Sequence, residues 1–166
     1  MRAAPPPGDQ ATVSVLVQVP PADAFRIFTE EIDLWWRGGL RYRMGGKGSV
    51  LQLEPKLGGR LFESYQTEAG KIVHETGRIT LWEPPSRLLL EWRVSNFTAD
   101  EKTEVEVRFE PSPSGTLVTV QHRGFSQLRP DHPVRHGEEP SAFVRRMALW
   151  WGSLLSSLRE CALREI

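Results

Sequence analysis

The C-terminal segment from Ser141 to Ile166 constrains the fold most, because no other stretch of the chain carries helical periodicity over such a length. Its apolar side chains recur every three or four residues, which places them on one stripe of an amphipathic helix. The members of this stripe are Phe143, Met147, Trp150, Trp151, Leu154, Leu155 and Leu158. A stripe of this kind has to be buried against another layer, and the chain before it consists mainly of predicted strands.

Apolar and polar residues alternate in a first predicted strand, Thr12 to Val19, and in six later segments bounded by Gly, Pro, Ser or Asn. The later segments are Ser49–Glu54, Gly59–Gln66, Lys71–Trp82, Arg87–Ser95, Lys102–Glu110 and Gly115–Arg123. Pro21 suits the first turn of a helix that reaches about Thr29, and the DLWW motif opens a second short helix before a Gly-rich loop. This order predicts an α+β fold in which a curved, seven-stranded antiparallel sheet wraps around the terminal helix.

Length and charge favour a single domain with no polyanionic partner. The chain has 166 residues and a formal net charge of +0, which does not favour binding to nucleic acid. Residues 1–11 are Pro-rich and are predicted to form a disordered or extended tail, with the domain spanning 12–166. Cys161 is the only cysteine, and we find neither a signal peptide nor a membrane-spanning stretch. We therefore expect a cytoplasmic protein without integral membrane contact.

Two strands carry acidic residues on the face that should point into the core. If Arg60 and Arg78 face solvent, the two-residue period turns Glu63 and Glu75 inward. The same argument turns His122 of the last strand inward. The sequence thus predicts a small polar cluster inside an apolar cup. A bulge or a slipped register would instead turn Glu75 outward and bring His74 into its place.

Several motifs resemble one known family. They are GGRLFE, the pattern G-x-I-x-x-W-x-P-P-x-x-L-x-x-x-W at Gly77–Trp92, TEVEVRFEP at Thr103–Pro111, GTLVTVQHRGF at Gly115–Phe125 and Trp-Gly-x-x-Leu at Trp151–Leu155. Together they are similar to the activator of heat-shock protein 90 ATPase homologue family, within the START-like and polyketide-cyclase-like superfamily. The resemblance covers Thr12 to Leu163 and implies a helix-grip fold. Since the superfamily includes lipid carriers, cyclases, hormone receptors and cochaperone domains, the fold alone does not identify the function.

The space between a curved sheet and its helix is a common ligand site, so we predict an internal cavity for a small hydrophobic or amphipathic molecule. The residues predicted to line it are Trp35, Trp36, Glu63, Tyr65, Glu75, Ile79, Leu90, Trp92, His122, Phe143, Met147 and Trp151. The acids and the imidazole would hold the polar end of the ligand. No cofactor and no metal site are expected, because no metal-ligand spacing is present.

Two other functions stay open at this point. Glu63 or Glu75 could form a general acid/base pair with His122, as in a cyclase or hydratase, although no nucleophile motif accompanies them. Alternatively, the domain could be a protein-interaction module with a chaperone partner, as the resemblance implies. Only about ten residues precede the first strand, so we expect no separate N-terminal chaperone-binding domain, which argues against that second function.

Overall fold

The elements follow one another in the predicted order in the computed structural model, which describes residues 9–38, 42–93, 102–125 and 140–165. The strands are β1 (Gln10–Val17), β2 (Val50–Leu53), β3 (Arg60–Thr67), β4 (Gly70–Glu83), β5 (Arg87–Trp92), β6 (Thr103–Ser112) and β7 (Gly115–Arg123). The helices are α1 (Pro21–Glu30), α2 (Ile32–Trp35) and α3 (Pro140–Leu163). A 3-10 turn, Gly46–Gly48, precedes β2.

The strands form a seven-stranded sheet in the order β1-β7-β6-β5-β4-β3-β2, and every neighbouring pair is antiparallel. Helix α3 packs against β1, α1 and α2 and closes the concave side of the curled sheet. Apolar residues of α3, including Leu154 and Leu155, are fully buried in the same core cluster as Val105 and Val107 of β6. The predicted α+β helix-grip fold is therefore confirmed.

The first strand begins slightly earlier than the sequence suggests. β1 starts at Gln10 and Ala11 is 2% exposed, so the chain already belongs to the sheet before the predicted start at Thr12. Residues 1–8 of the predicted tail and the end of the predicted strand at Ser95 lie outside the described residues, as do residues 126–139. Within the described ranges, no helix is long and apolar enough to cross a membrane.

A β-bulge in β4 overturns the predicted orientation of Glu75. Leu61 of β3 pairs with Gly77, whereas the next residue, Phe62, pairs with Glu75, so Thr76 is an extra residue in the ladder. Glu75 is consequently exposed and forms an ion pair of 2.7 Å with Arg78. The prediction that Glu75 points into the core is wrong, because the extra residue reverses the alternation of side chains before it.

The same bulge brings His74 to the concave face, because His74 pairs directly with Glu63 across the β3–β4 ladder. A second irregularity, at Thr80, has the same kind of effect further along β4. Ile79 pairs with Leu90 and Leu81 pairs with Leu89, so Trp82 rather than Leu81 turns towards the core. The ring of Trp82 packs at 5.0 Å from the ring of Phe25 in α1.

Candidate functional site

Four tryptophans meet inside the cup: Trp36 after α2, Trp92 at the end of β5, and Trp150 and Trp151 on α3. We call them the tryptophan cluster. Trp36 stacks on Trp92 with ring centroids 6.0 Å apart, and it meets both α3 rings edge-on at 5.6 Å. Trp36, Trp92 and Trp151 are buried, whereas Trp150 is half-buried. Aromatic rings therefore fill the centre of the space between sheet and helix.

His122 lies beneath this cluster, fully enclosed and fully hydrogen-bonded. The indole N–H of Trp151 donates to Nδ1 of His122 at 3.1 Å, so the proton of the neutral ring is on Nε2. Nε2 then donates to the hydroxyl of Thr103 at 2.7 Å. Burial lowers the pKa of His122 from 6.5 to about 3. At neutral pH this imidazole is an uncharged structural group whose two nitrogens already have partners.

Glu63 anchors the segment that follows α2. Its side chain is buried, and its two carboxylate oxygens accept the backbone N–H groups of Met44 at 2.6 Å and Gly45 at 3.1 Å. Charge-assisted bonds of this kind are stronger than neutral ones. The ring of Tyr65, two residues further along β3, covers Gly45 so closely that a methyl group there would lie 2.7 Å from the Tyr65 Cβ. The inward acid on β3 thus fixes a loop at the edge of the cup.

Arg43 holds the same segment from the other side. It is 6% exposed, and its guanidinium donates to the Asp33 carboxylate at 2.7 Å. It also donates to the backbone carbonyls of Ser49 at 2.8 Å, Trp36 at 2.5 Å and Arg37 at 3.2 Å. A buried arginine is stable only when its donors are satisfied in this way. Arg43 and Glu63 together therefore set the position of the segment from Tyr42 to Ser49.

His74 differs from these satisfied groups. Its Nε2 atom is buried and has no hydrogen-bond partner among the described residues. On the concave face it lies opposite Glu63, near the place where Tyr65 packs against Gly45. We call Glu63, Tyr65 and His74 the hairpin polar group. Tyr42 precedes Arg43 in the segment that Glu63 anchors, and its ring stacks on Trp150 of the tryptophan cluster with centroids 5.9 Å apart.

The sequence matches the family model described as activator of Hsp90 ATPase homologue 1-like protein over residues 18–162. The chain belongs to this family. No curated protein matches its sequence.

Solved structures support the fold of this family member. A Mesorhizobium loti protein is 18% identical, with 94% of this chain and 97% of that chain covered and a TM-score of 0.63. A Rhodobacter sphaeroides protein is 19% identical, with coverage of 98% and 97% and a TM-score of 0.65. An AHSA1-like protein from Aeromonas hydrophila is 15% identical, with coverage of 91% and 90% and a TM-score of 0.58. At these identities the likeness establishes the fold.

The predicted acid/base cluster is not assembled in this family member. Glu63 on β3 and His122 on β7 are four strands apart in the sheet. Both side chains have other partners, because Glu63 accepts the amides of Met44 and Gly45 and His122 is hydrogen-bonded to Thr103 and Trp151. Glu75 faces the opposite side. Among the described residues, no group of three or more His, Cys, Asp or Glu side chains could hold a metal ion.

The predicted lining residues fall into separate groups. Trp92 and Trp151 contact His122, and Trp36 packs on both of these rings. Glu63 and Tyr65 belong to the hairpin polar group. Ile79 and Leu90 pair across β4 and β5 and are buried.

Three predicted lining residues remain: Trp35, Phe143 and Met147. Trp35 is 1% exposed and donates its indole N–H to the carbonyl of Ile27 at 3.2 Å. Phe143 packs edge-on against Phe125 with centroids 5.0 Å apart. Met147 is half-buried and packs against both core clusters.

Tyr42 and Arg43 matter for the site but were missed from the sequence. Both are in a Gly-rich stretch, where side chains cannot be assigned to a face by periodicity. The signal available in the sequence was that these two residues lie between the glycine pairs Gly38-Gly39 and Gly45-Gly46. His74 was recognised only as the consequence of a bulge.

Proposed function

We propose that this protein binds a small amphipathic molecule at the edge of the cup, between the hairpin polar group and the tryptophan cluster, without catalysing a reaction. The observation that carries the proposal is the buried Nε2 atom of His74, which has no partner among the described residues. A buried polar atom without a hydrogen bond is unfavourable by about 1–3 kcal/mol. A hydroxyl or carboxyl group of a ligand would supply the missing partner.

The apolar part of the ligand would meet aromatic and thioether surface. Tyr42, Met147 and Trp150 are only partly buried, yet all three pack against the main core. They therefore offer apolar surface next to the buried rings of Trp36 and Trp92. Small-molecule sites commonly combine such walls with a few convergent polar groups. This combination supports a ligand that is apolar along its body and polar at one end.

Native mass spectrometry of the purified protein tests the proposal, followed by thermal-shift measurements with a panel of fatty acids, sterols and aromatic polyketides. A ligand at about one hundred times its Kd stabilises the fold by about 2.7 kcal/mol, which corresponds to a shift of roughly 5–11 °C. His74→Ala should reduce this shift. Val73→Ala should retain it, because Val73 is 52% exposed and precedes His74 on the opposite face of the strand.

A specific observation also favours a second candidate, a protein-interaction module. The tryptophan cluster occupies the middle of the cup, which leaves the outer surfaces of the domain to contact a partner. A mass without bound ligand, together with no thermal shift across the panel, would reject the first proposal in favour of this one. A shift that His74→Ala leaves unchanged would reject His74 as the polar contact.

A further inference from the structure

A concavity lies beside α2 on the surface of the domain. It has a volume of about 350 Å³ and is formed by α2, the segment from Arg43 to Ser49, and the C-terminal half of α3. We call it the basic pocket. Its charged lining residues are Arg37, Arg43, Lys47, Arg164, Asp33 and Glu160. Four basic side chains thus face two acidic ones, although the whole chain has a formal net charge of +0.

Two of these four cations lie beside negative charge. Arg43 is paired with Asp33 at 2.7 Å, and its remaining donors are taken up by backbone carbonyls. Arg164 directly follows the end of α3 at Leu163, where the partial negative charge of the helix C-terminus interacts with it. Glu160 is four residues before Arg164, a spacing that also favours attraction between the two. The excess positive charge therefore rests on Arg37 and Lys47.

Arg37 is held in position by hydroxyl groups. Its Nε donates to Ser157 Oγ at 3.0 Å and its Nη1 donates to Ser153 Oγ at 2.7 Å. Its guanidinium also lies 6.0 Å from the centre of the Tyr42 ring. Among the described residues, no carboxylate forms an ion pair with Arg37 or with Lys47. Neutral partners orient the guanidinium and leave its charge and its Nη2 donors available.

We propose that the basic pocket binds the phosphate group of a small molecule. An oriented guanidinium suits the fork geometry of phosphate oxygens. Lys47, which lies against Gly38 next to Arg37, adds a point charge on a flexible stem. The volume exceeds that of inorganic phosphate, so the group would be carried on a larger body that extends towards Leu34, which also lines the pocket. Trp36 separates this pocket from the interior of the cup, so the proposal is independent of ligand binding by His74.

An NMR titration of the ¹⁵N-labelled protein with inorganic phosphate and with glycerol 3-phosphate, at constant ionic strength, tests the proposal. The amide signals of Gly38, Lys47 and Gly48 should shift saturably. Lys47→Gln and Arg37→Gln should each weaken binding about tenfold or more, as expected for loss of one charge-assisted contact. Lys47 is exposed, so its replacement leaves the fold intact even if Arg37→Gln loosens α3.

Lys56→Gln is the matched control, because it removes the same charge from an exposed lysine that does not line the pocket. Absence of saturable shifts would overturn the proposal. So would equal affinity in the wild type and both pocket variants, or an equal loss in Lys56→Gln. Sedimentation with phosphatidic acid vesicles, against phosphatidylcholine vesicles, shows whether the phosphate comes from a lipid headgroup or from a free metabolite. Lys47→Gln should weaken whichever binding is found by about tenfold or more.

Discussion

Replacing His122 by glutamine should remove a large part of the pH dependence of folding stability. Burial lowers the pKa of His122 in the folded protein to about 3 from 6.5. Below about pH 6.5 the unfolded chain therefore binds a proton at His122, whereas the folded protein does not bind it until the pH approaches 3. The free energy of unfolding is not reduced by His122 above about pH 6.5, and it decreases progressively as the pH falls from there towards 3. At pH 5 the wild type should be less stable than at pH 7 by about 2 kcal/mol from this group alone.

Urea unfolding at pH 5 and pH 7, followed by tryptophan fluorescence, measures this difference. In His122→Gln the free energy of unfolding should change between the two pH values by about 2 kcal/mol less than in the wild type. Val120→Ala is a suitable control, because Val120 is fully buried on the same face of β7 and its truncation destabilises the protein while His122 is retained. The same pH dependence in the wild type and in His122→Gln would refute the argument.

Two further predictions concern the segment that borders the cup. Gly45→Ala should destabilise the protein by about 1–3 kcal/mol, because the new methyl group would collide with Tyr65. Gly48→Ala should be tolerated sterically, because a methyl group at Gly48 would meet no other atom within 4 Å. Thermal unfolding of both variants checks this, and equal melting temperatures would contradict it. Glu63→Gln should accelerate hydrogen exchange at the amides of Met44 and Gly45, because it replaces two charge-assisted acceptors by a single carbonyl oxygen. Unchanged protection of those amides would show that Glu63 does not anchor the segment.

The architecture could be predicted because each element has a strong local signal. Alternation along β6 and β7 and the apolar stripe of α3 depend on residues close in sequence, and both appear in the structure as predicted. Such a sheet and helix can bury their apolar faces only against one another, so the order of elements determined the fold class. The inward position of Glu63 and His122 also followed from strand periodicity alone.

Other features were decided only by tertiary structure. The bulge at Thr76 depends on how β4 pairs with both of its neighbours, and Gly77 approaches β5 so closely that a Cβ there would lie 2.5 Å from the Glu91 carbonyl oxygen. This one extra residue turned Glu75 outward and His74 inward. The partners of His122 come from β6 and α3, and those of Arg43 are mostly backbone carbonyls of another segment. Such contacts depend on the distances between elements that are remote along the chain, and periodicity carries no information about those distances.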